Sequence, residues 1–143
     1  MGKIQVFLDT DVVISALLSK TGASYELIRN PLISKIISKT VKKEIEEVKK
    51  RLNIDNRKVE KLLKRISTAS LNLTKKEVSE EYKKFVLDEK DSHVVAGANK
   101  TKSKFLLTHN LKHYRVNKIN TEFGILVLKP GMFLQYLRSL DKF

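Results

Sequence analysis

The sequence predicts an α/β fold: a parallel sheet of five strands covered by helices on both sides. Two observations predict it. A short apolar run, Ile4 to Leu8, ends in acid and turns straight into a helical pattern. Further short apolar runs then alternate with helical stretches to the end of the chain, the signature of strand–helix–strand units. No repeat, low-complexity run or linker interrupts that alternation, so residues 1–143 read as one domain, long enough to bury a core.

The first strand is apolar apart from Gln5, as expected of a strand buried on both faces. A helix follows from about Val12 to Ser19. Thr21-Gly22-Ala23 breaks the chain before a second helix, Ser24 to Arg29, which Asn30-Pro31 ends. Leu32 to Ser38 gives the second strand. Thr40 is placed to cap a helix whose Val41, Ile45, Val48 and Leu52 follow helical spacing. Another amphipathic helix uses Val59, Leu62, Leu63 and Ile66. Ala69, Leu71 and Leu73 alternate as a short third strand, and Lys76 to Val86 is helical. Asp88-Glu89-Lys90-Asp91 opens a helix containing Val94, Val95 and Ala98. Phe105 to Thr108 is the fourth strand, Ile125 to Leu128 the fifth, and Pro130-Gly131 starts a closing helix through Phe133, Leu134 and Leu137. Helix pairs between the early strands thicken one side of the sheet.

Composition narrows the function. The chain has no cysteine, which excludes disulfides and thiolate metal sites. The apolar N-terminal stretch is too short to span a bilayer and lacks a basic leader and a small-residue cleavage site. The expectation is a cytoplasmic protein with no membrane segment. A formal charge of +13 favours a polyanionic partner, although a lysine-rich solvated surface is the plainer reading of the same count. Ser92 to Thr121 contains no Asp or Glu but holds Lys100, Lys102, Lys104, Lys112, Arg115 and Lys118, so it is the better candidate for a phosphate-contacting face. No Gly-rich phosphate loop is present.

Against this positive background, acids recur at one structural register. Asp9 and Asp11 follow the first strand, at the carboxyl edge where α/β sheets place their chemistry. On the helix after the second strand, Glu44 lies roughly 70° from the centre of the apolar stripe while Glu46 and Glu47 lie roughly 130° away, so Glu44 faces inward. Asp91 sits in the first turn of the helix before the fourth strand, and Asn110 lies just beyond that strand. If the fourth strand neighbours the first, these groups converge. Hard oxygen ligands without sulfur select Mg²⁺ or Mn²⁺. Each acid has a plainer reading: Asp91 as a helix N-terminal acid, Asp11 as an N-cap, Glu44 as a surface residue. The three histidines do not have the spacing of a zinc pair, and Tyr25, Tyr82, Tyr114 and Tyr136 read as core or rim.

With those residues in place, the sequence resembles the PIN-domain nucleases, in particular small VapC-type toxins and related prokaryotic proteins. FLDTDVVISALL resembles the opening strand–Asp–Thr–Asn/Asp–helix motif. SKTVKKEIEEV is similar to the segment with the second acid, carried by Glu44. DEKDSHVVAGA resembles the segment whose later acid, Asp91, is the principal metal ligand. FLLTHNLKHY and VLKPGMFLQYL resemble the fourth motif and the closing helix. The resemblance implies a three-layer α/β/α sandwich and a metal-dependent endoribonuclease, with Asp9, Glu44 and Asp91 catalytic and Asn110 completing the ligand set. Thr10 and Thr108 would orient carboxylates or water, and Asp88 would act in an outer shell. It also implies homodimers and, for toxin members, a small antitoxin over the acidic site. Asn110 departs from the family's acid at that position, which weakens the hold on a second metal.

Two other functions compete. LDTDVV also fits the opening of a haloacid-dehalogenase-type phosphatase, with Asp9 as nucleophile and Asp11 as acid/base. Asn110 motivates the second, a nuclease-derived RNA-binding module that has lost catalysis.

Overall fold

In the computed structural model, which describes residues 3–140, five parallel strands form one sheet. They are β1 (Ile4–Leu8), β2 (Ile33–Ser38), β3 (Ser67–Ala69), β4 (Phe105–Leu107) and β5 (Leu126–Leu128), in the order β3-β2-β1-β4-β5. Strand order reverses between β1 and β4, so the two strands followed by acid or amide lie side by side at the switch point. Their pairing, Val6 with Phe105, Phe7 with Leu106 and Leu8 with Leu107, sits among fully buried neighbours.

Eight α-helices link and follow the strands among the described residues: α1 (Thr10–Leu18), α2 (Ala23–Arg29), α3 (Lys39–Leu52), α4 (Asn56–Leu63), α5 (Lys75–Tyr82), α6 (Ser92–Lys100), α7 (Val116–Phe123) and α8 (Pro130–Leu140). Packing groups α1 with α2, α3 and α4, and α2 with α8. On the other side α6 lies across β1, β2 and β4 with α5 beside it. The sheet is therefore sandwiched, and the first side is the thicker one, as the early helix pairs predict.

Several boundaries differ from the sequence expectation for local reasons. Asp9, not Asp11, caps α1: its side chain accepts from Thr10 N, and Asp11 falls in the first turn. Ser38 rather than Thr40 caps α3, its hydroxyl accepting from Val41 N at 3.2 Å. The third strand is Ser67–Ala69, because pairing with β2 stops where β2 ends at Ser38. Leu71 and Leu73 instead pack on the core as half-buried residues, and left-handed Asn72 (φ 56°) breaks the extended run between them. Helix α5 stops at Tyr82, and Lys83–Phe85 form a 3-10 turn. Helix α7 has no counterpart in the sequence reading. Its two asparagines and its Val and Thr are weak helix formers, and it is held by burial of Ile119 and by Gly124 closing its end at φ 70°.

Gly97 fixes how closely α6 approaches β1. A Cβ at this position would overlap the ring of fully buried Phe7. Overpacking a filled core costs about 1–3 kcal/mol. Gly97→Ala is therefore expected to lower stability by about 3 kcal/mol, read by thermal and urea unfolding. Pairing it with Phe7→Leu should recover part of that loss, since the two side chains compete for one space.

Candidate metal centre

The β1–β4 register assembles the centre. Asp9 N continues the ladder by donating to Leu107 O (3.0 Å), which sets Asp9 beside Thr108. Thr108 is fully buried, and its hydroxyl oxygen lies between two carboxylates, 2.9 Å from Asp9 Oδ2 and 3.3 Å from Asp11 Oδ2, with one proton to donate. The Tyr114 hydroxyl donates to the same Asp9 oxygen at 2.8 Å. Asp11 also accepts from His109 N (3.2 Å) and from Asn110 Nδ2 (2.8 Å). Asn110 thus serves as a donor to Asp11, where the sequence alone suggests a metal ligand.

From the second segment, Glu44 on α3 reaches the cavity as its helical phase predicts. Its two oxygens accept from Thr10 Oγ1 (2.6 Å) and His93 Nε2 (3.1 Å). Among the described residues His93 Nδ1 is buried without a partner, so an Nε2-protonated tautomer supplies the donor that Glu44 requires. Asp91, in the 3-10 turn Glu89–Asp91 that leads into α6, lies 3.5 Å from His113 Nδ1 through Oδ2.

Asp9, Asp11, Glu44, Asp91, Asn110 and His113 line one open cavity of about 750 Å³ at the carboxyl edge of the sheet. Gathering in one cavity is what the sequence predicts. Among the described residues, however, no three acidic or histidine side chains already close on a single point. Like charges repel, and Asp9, Asp11 and Glu44 are turned toward hydrogen-bond donors while Asp91 faces His113.

The electrostatics carry the same stress. Burial, then the charge of Asp9, raises Asp11 from its ordinary value of 3.8 to about 6. Burial and Asp9 also raise Asp91, against a lowering by His113. For Glu44, burial works upward but is outweighed by the hydrogen bonds from His93 and Thr10, and its pKa falls. Tyr114 is pushed up, by burial first and then by Asp9, so its hydroxyl keeps its proton and remains a donor.

Arg51 and Lys90 also line the cavity, but neither is ion-paired to Asp9, Asp11, Glu44 or Asp91, and Lys90 pairs with Asp88 instead. The chain contains 29 lysines and arginines, yet among the described residues none forms an ion pair with these four acids; the only basic partners are His93 and His113. Oxygen donors free of direct lysine or arginine pairs among the described residues fit a hard divalent cation such as Mg²⁺ or Mn²⁺.

The remaining predicted residues divide by position. Thr10 and Thr108 are in the site. Asp88 lies just outside, capping the 3-10 turn through Lys90 N (3.0 Å). Lys112 falls in the 3-10 turn Leu111–His113 next to Asn110, and Arg115 follows Tyr114, both on this edge. Lys100, Lys102 and Lys104 do not join them. Helix α6 starts at Asp91 and runs away from the site, and the turn after it is tied by Thr101 O to Gln5 near the start of β1. These three lysines lie at the opposite, amino edge of the sheet.

Tyr114 and His113 are the site residues that sequence reasoning misses. Neither has a periodic or motif signal. Their one cue is adjacency to Asn110 in a segment too short to leave the sheet edge. His93 bonds directly to Glu44 inside the site, although its position in the chain suggests only the rim. His109 uses its backbone N–H, its ring being held by buried Ser24 (2.9 Å).

The sequence profile of the PIN domain matches residues 5–112, three-quarters of the chain. No curated protein matches the chain significantly. Among solved structures the fold is similar to VapBC2 from Rickettsia felis bound to a DNA fragment from its promoter, at 18% identity and a TM-score of 0.61 over 88% of this chain and 98% of that one. It is similar to a toxin–antitoxin complex from Klebsiella pneumoniae, at 19% identity and a TM-score of 0.63 over 87% and 97% of the two chains. It is also similar to DNA-bound VapBC from Salmonella typhimurium, at 16% identity and a TM-score of 0.64 over 89% and 98%. At such identities the likeness is one of fold. The profile match spans Asp9, Asp11, Glu44, Asp91 and Asn110, and the chain belongs to the PIN domain family.

Proposed function

We propose that this protein is a Mg²⁺- or Mn²⁺-dependent endoribonuclease that hydrolyses RNA phosphodiester bonds as the toxin of a toxin–antitoxin pair. The observation that carries the reading is the cavity that Asp9, Asp11, Glu44 and Asp91 line together, none of them ion-paired to a lysine or arginine among the described residues. An antitoxin with an acidic segment suits the +13 charge for the same reason RNA does. The resemblance to VapC-type toxins adds a homodimer to this reading.

In the proposed mechanism Asp9, Glu44 and Asp91 would hold the cation, with Asp11 and Asn110 as neighbouring oxygen donors. The chemistry a bound divalent ion would supply is an acidified water and charge neutralisation on the phosphodiester. The chain's own groups prepare that chemistry. Thr108 and Tyr114 fix the Asp9 carboxylate by donating to one oxygen, and Thr10 and His93 fix Glu44. His113 faces Asp91 and is placed to pass a proton at the cavity edge. Lys112 and Arg115 supply positive charge for the strand on the same side.

A phosphatase of the haloacid-dehalogenase type needs Asp11 free to act as acid and base. Here His109 N, Asn110 Nδ2 and Thr108 Oγ1 all hold it, and β4 leads into Thr108, His109 and Asn110 with no acid. A non-catalytic RNA-binding module is the second reading, favoured by Asn110 acting as a donor to Asp11.

Labelled single-stranded RNA incubated with Mn²⁺ separates the two. Cleavage is expected from the wild type, with Asp91→Asn and Glu44→Gln lowering the rate more than about 100-fold while remaining folded, since they remove ligands and not only their supports. Binding without metal-dependent cleavage would leave the module. Tyr114→Phe is expected to weaken Mn²⁺ binding about 10-fold by calorimetry with little change in melting temperature, because it removes one orienting bond to Asp9. Unchanged affinity would take Tyr114 out of the site.

The raised Asp11 pKa gives a pH dependence with a definite sign. Folded Asp11 holds its proton up to about pH 6, while the unfolded residue loses it near 3.8. Its contribution to stability is therefore full below the lower value and lost as pH rises through the higher one. In EDTA, the stability gain of Asp11→Asn over wild type should grow between about pH 4 and 6 and level off above that. Added Mg²⁺ or Mn²⁺ should shrink the gain at pH 7.5 by stabilising only the wild type, and a gain independent of pH would contradict the shift.

A further inference from the structure

A second cavity, of about 210 Å³, lies on the thicker helical side between α1, α2 and α4. Lys20, Arg29, Lys58, Lys61 and Arg65 line it, and no acid does. Its floor is the buried apolar surface of Ala16, Leu17 and Leu62. The Arg29 guanidinium lies 5.6 Å over the ring of Tyr25, which forms part of the wall.

The nearby acids are engaged elsewhere. Glu26 pairs with Arg138 at 3.5 Å, Asp55 caps α4 through Arg57 N, and Glu60 accepts from Asn56. Among the described residues, none of the five cations has a carboxylate within ion-pair distance. Behind them, buried Lys35 adds charge, its ammonium donating to the Asn30 carbonyl at 2.8 Å. Five like charges around one small concavity focus a positive potential that an anion relieves.

We infer that this pocket binds a backbone phosphate of an RNA strand whose scissile bond lies in the acidic cavity, a reading that rests on the nuclease proposal. Three features favour nucleic acid. The cavities flank the same helix: Ile14, Ser15 and Leu18 on one face of α1 line the acidic one, and Ala16, Leu17 and Lys20 on the other line the basic one. A strand joining them crosses α1, about 10–12 Å with its side chains, a span that a few nucleotides cover. The pocket is also small, sized for a single charged group rather than a peptide helix or strand. Tyr25 offers a ring for base stacking beside the cations. A second copy of this chain is disfavoured there, since its surface is positive as well.

The test is equilibrium binding of a fluorescent single-stranded oligoribonucleotide in EDTA, across a salt series, so that it reads the pocket whether or not the protein cleaves. Lys61→Ala with Arg65→Ala, both exposed positions, is expected to weaken binding about 10-fold and to reduce the log–log salt slope by about 0.7, for the one phosphate left unneutralised. Lys58→Ala with Lys61→Ala should do the same. Lys100→Ala with Lys104→Ala removes equal charge at the far edge of the sheet and should leave affinity within about twofold, since salt-screened charge at that distance acts weakly. With Mn²⁺ present, the pocket pairs should raise KM and leave kcat unchanged. Equal losses from the far-edge pair, or no loss from either pocket pair, would overturn the inference. So would pocket-dependent binding of a glutamate-rich peptide with no such dependence for RNA, which would assign the pocket to a protein partner. Absence of Mn²⁺-dependent cleavage with the binding pattern intact would instead count against the nuclease reading alone.

Discussion

Leu8 pairs with Leu107 across β1 and β4, and that register decides where every group of the acidic cavity falls. One step beyond the pair, the ladder places Asp9 beside Thr108, residues far apart in the chain. Because side chains alternate across a strand, a slip of a single residue would turn Thr108 away from Asp9 and expose what is now buried. The slip is opposed by packing. Phe7, Leu8, Leu106 and Leu107 are fully covered on both sheet faces, and Phe7 is wedged against a glycine that leaves no spare volume. The apolar core therefore sets the geometry of the charged site to within a hydrogen bond, although it contributes no atom to it.

Much of this is legible in the sequence, and the reason is periodicity. Buried strands announce themselves as apolar runs, so β1, β2, β4 and β5 fall within a residue or so of where those runs place them. The helical phase around Val41 and Ile45 turns Glu44 inward, and Glu44 does line the cavity, but Glu47, which the same phase points away, lines it too because the cavity is open and reaches round the helix. What is not legible has no period to read. The third strand is short, and its residues Ser67, Thr68 and Ala69 are set by where the partner strand runs out. Helix α7 is built from poor helix formers and depends on tertiary burial.

The site follows the same division. Residues attached directly to strand ends are legible, whereas Tyr114 and His113 reach the carboxylates through a turn whose path is a property of the fold. Charge is legible in amount but only partly in place. The acid-free stretch from Ser92 to Thr121 is continuous in sequence, but α6 and β4 carry it across the whole sheet. Lys100 and Lys112 therefore end at opposite edges. Meanwhile the basic cavity gathers Lys20, Arg29 and Lys61 from three segments that no shared motif or period joins.

The choice of hydrogen-bond partners around the carboxylates is the strongest physical argument for a cation. An acid cluster can be held in place either by ammonium and guanidinium groups or by neutral donors. The first kind orients the carboxylates and cancels their charge, which would leave little attraction for a metal ion. The second kind orients them and leaves the charge standing. In a chain with 29 lysines and arginines the first solution is abundantly available, yet Thr10, Thr108, Tyr114 and Asn110 hold the acids instead. The strain shows in Asp11, whose carboxyl is driven to about 6, and in the raised Asp91. A fold selected for stability alone would have closed one of its many cations onto these carboxylates. Arg51 and Lys90 reach the cavity wall without pairing with these acids, which leaves the carboxylates charged, and five cations gathered on the other face of α1 give a polyanion somewhere else to hold.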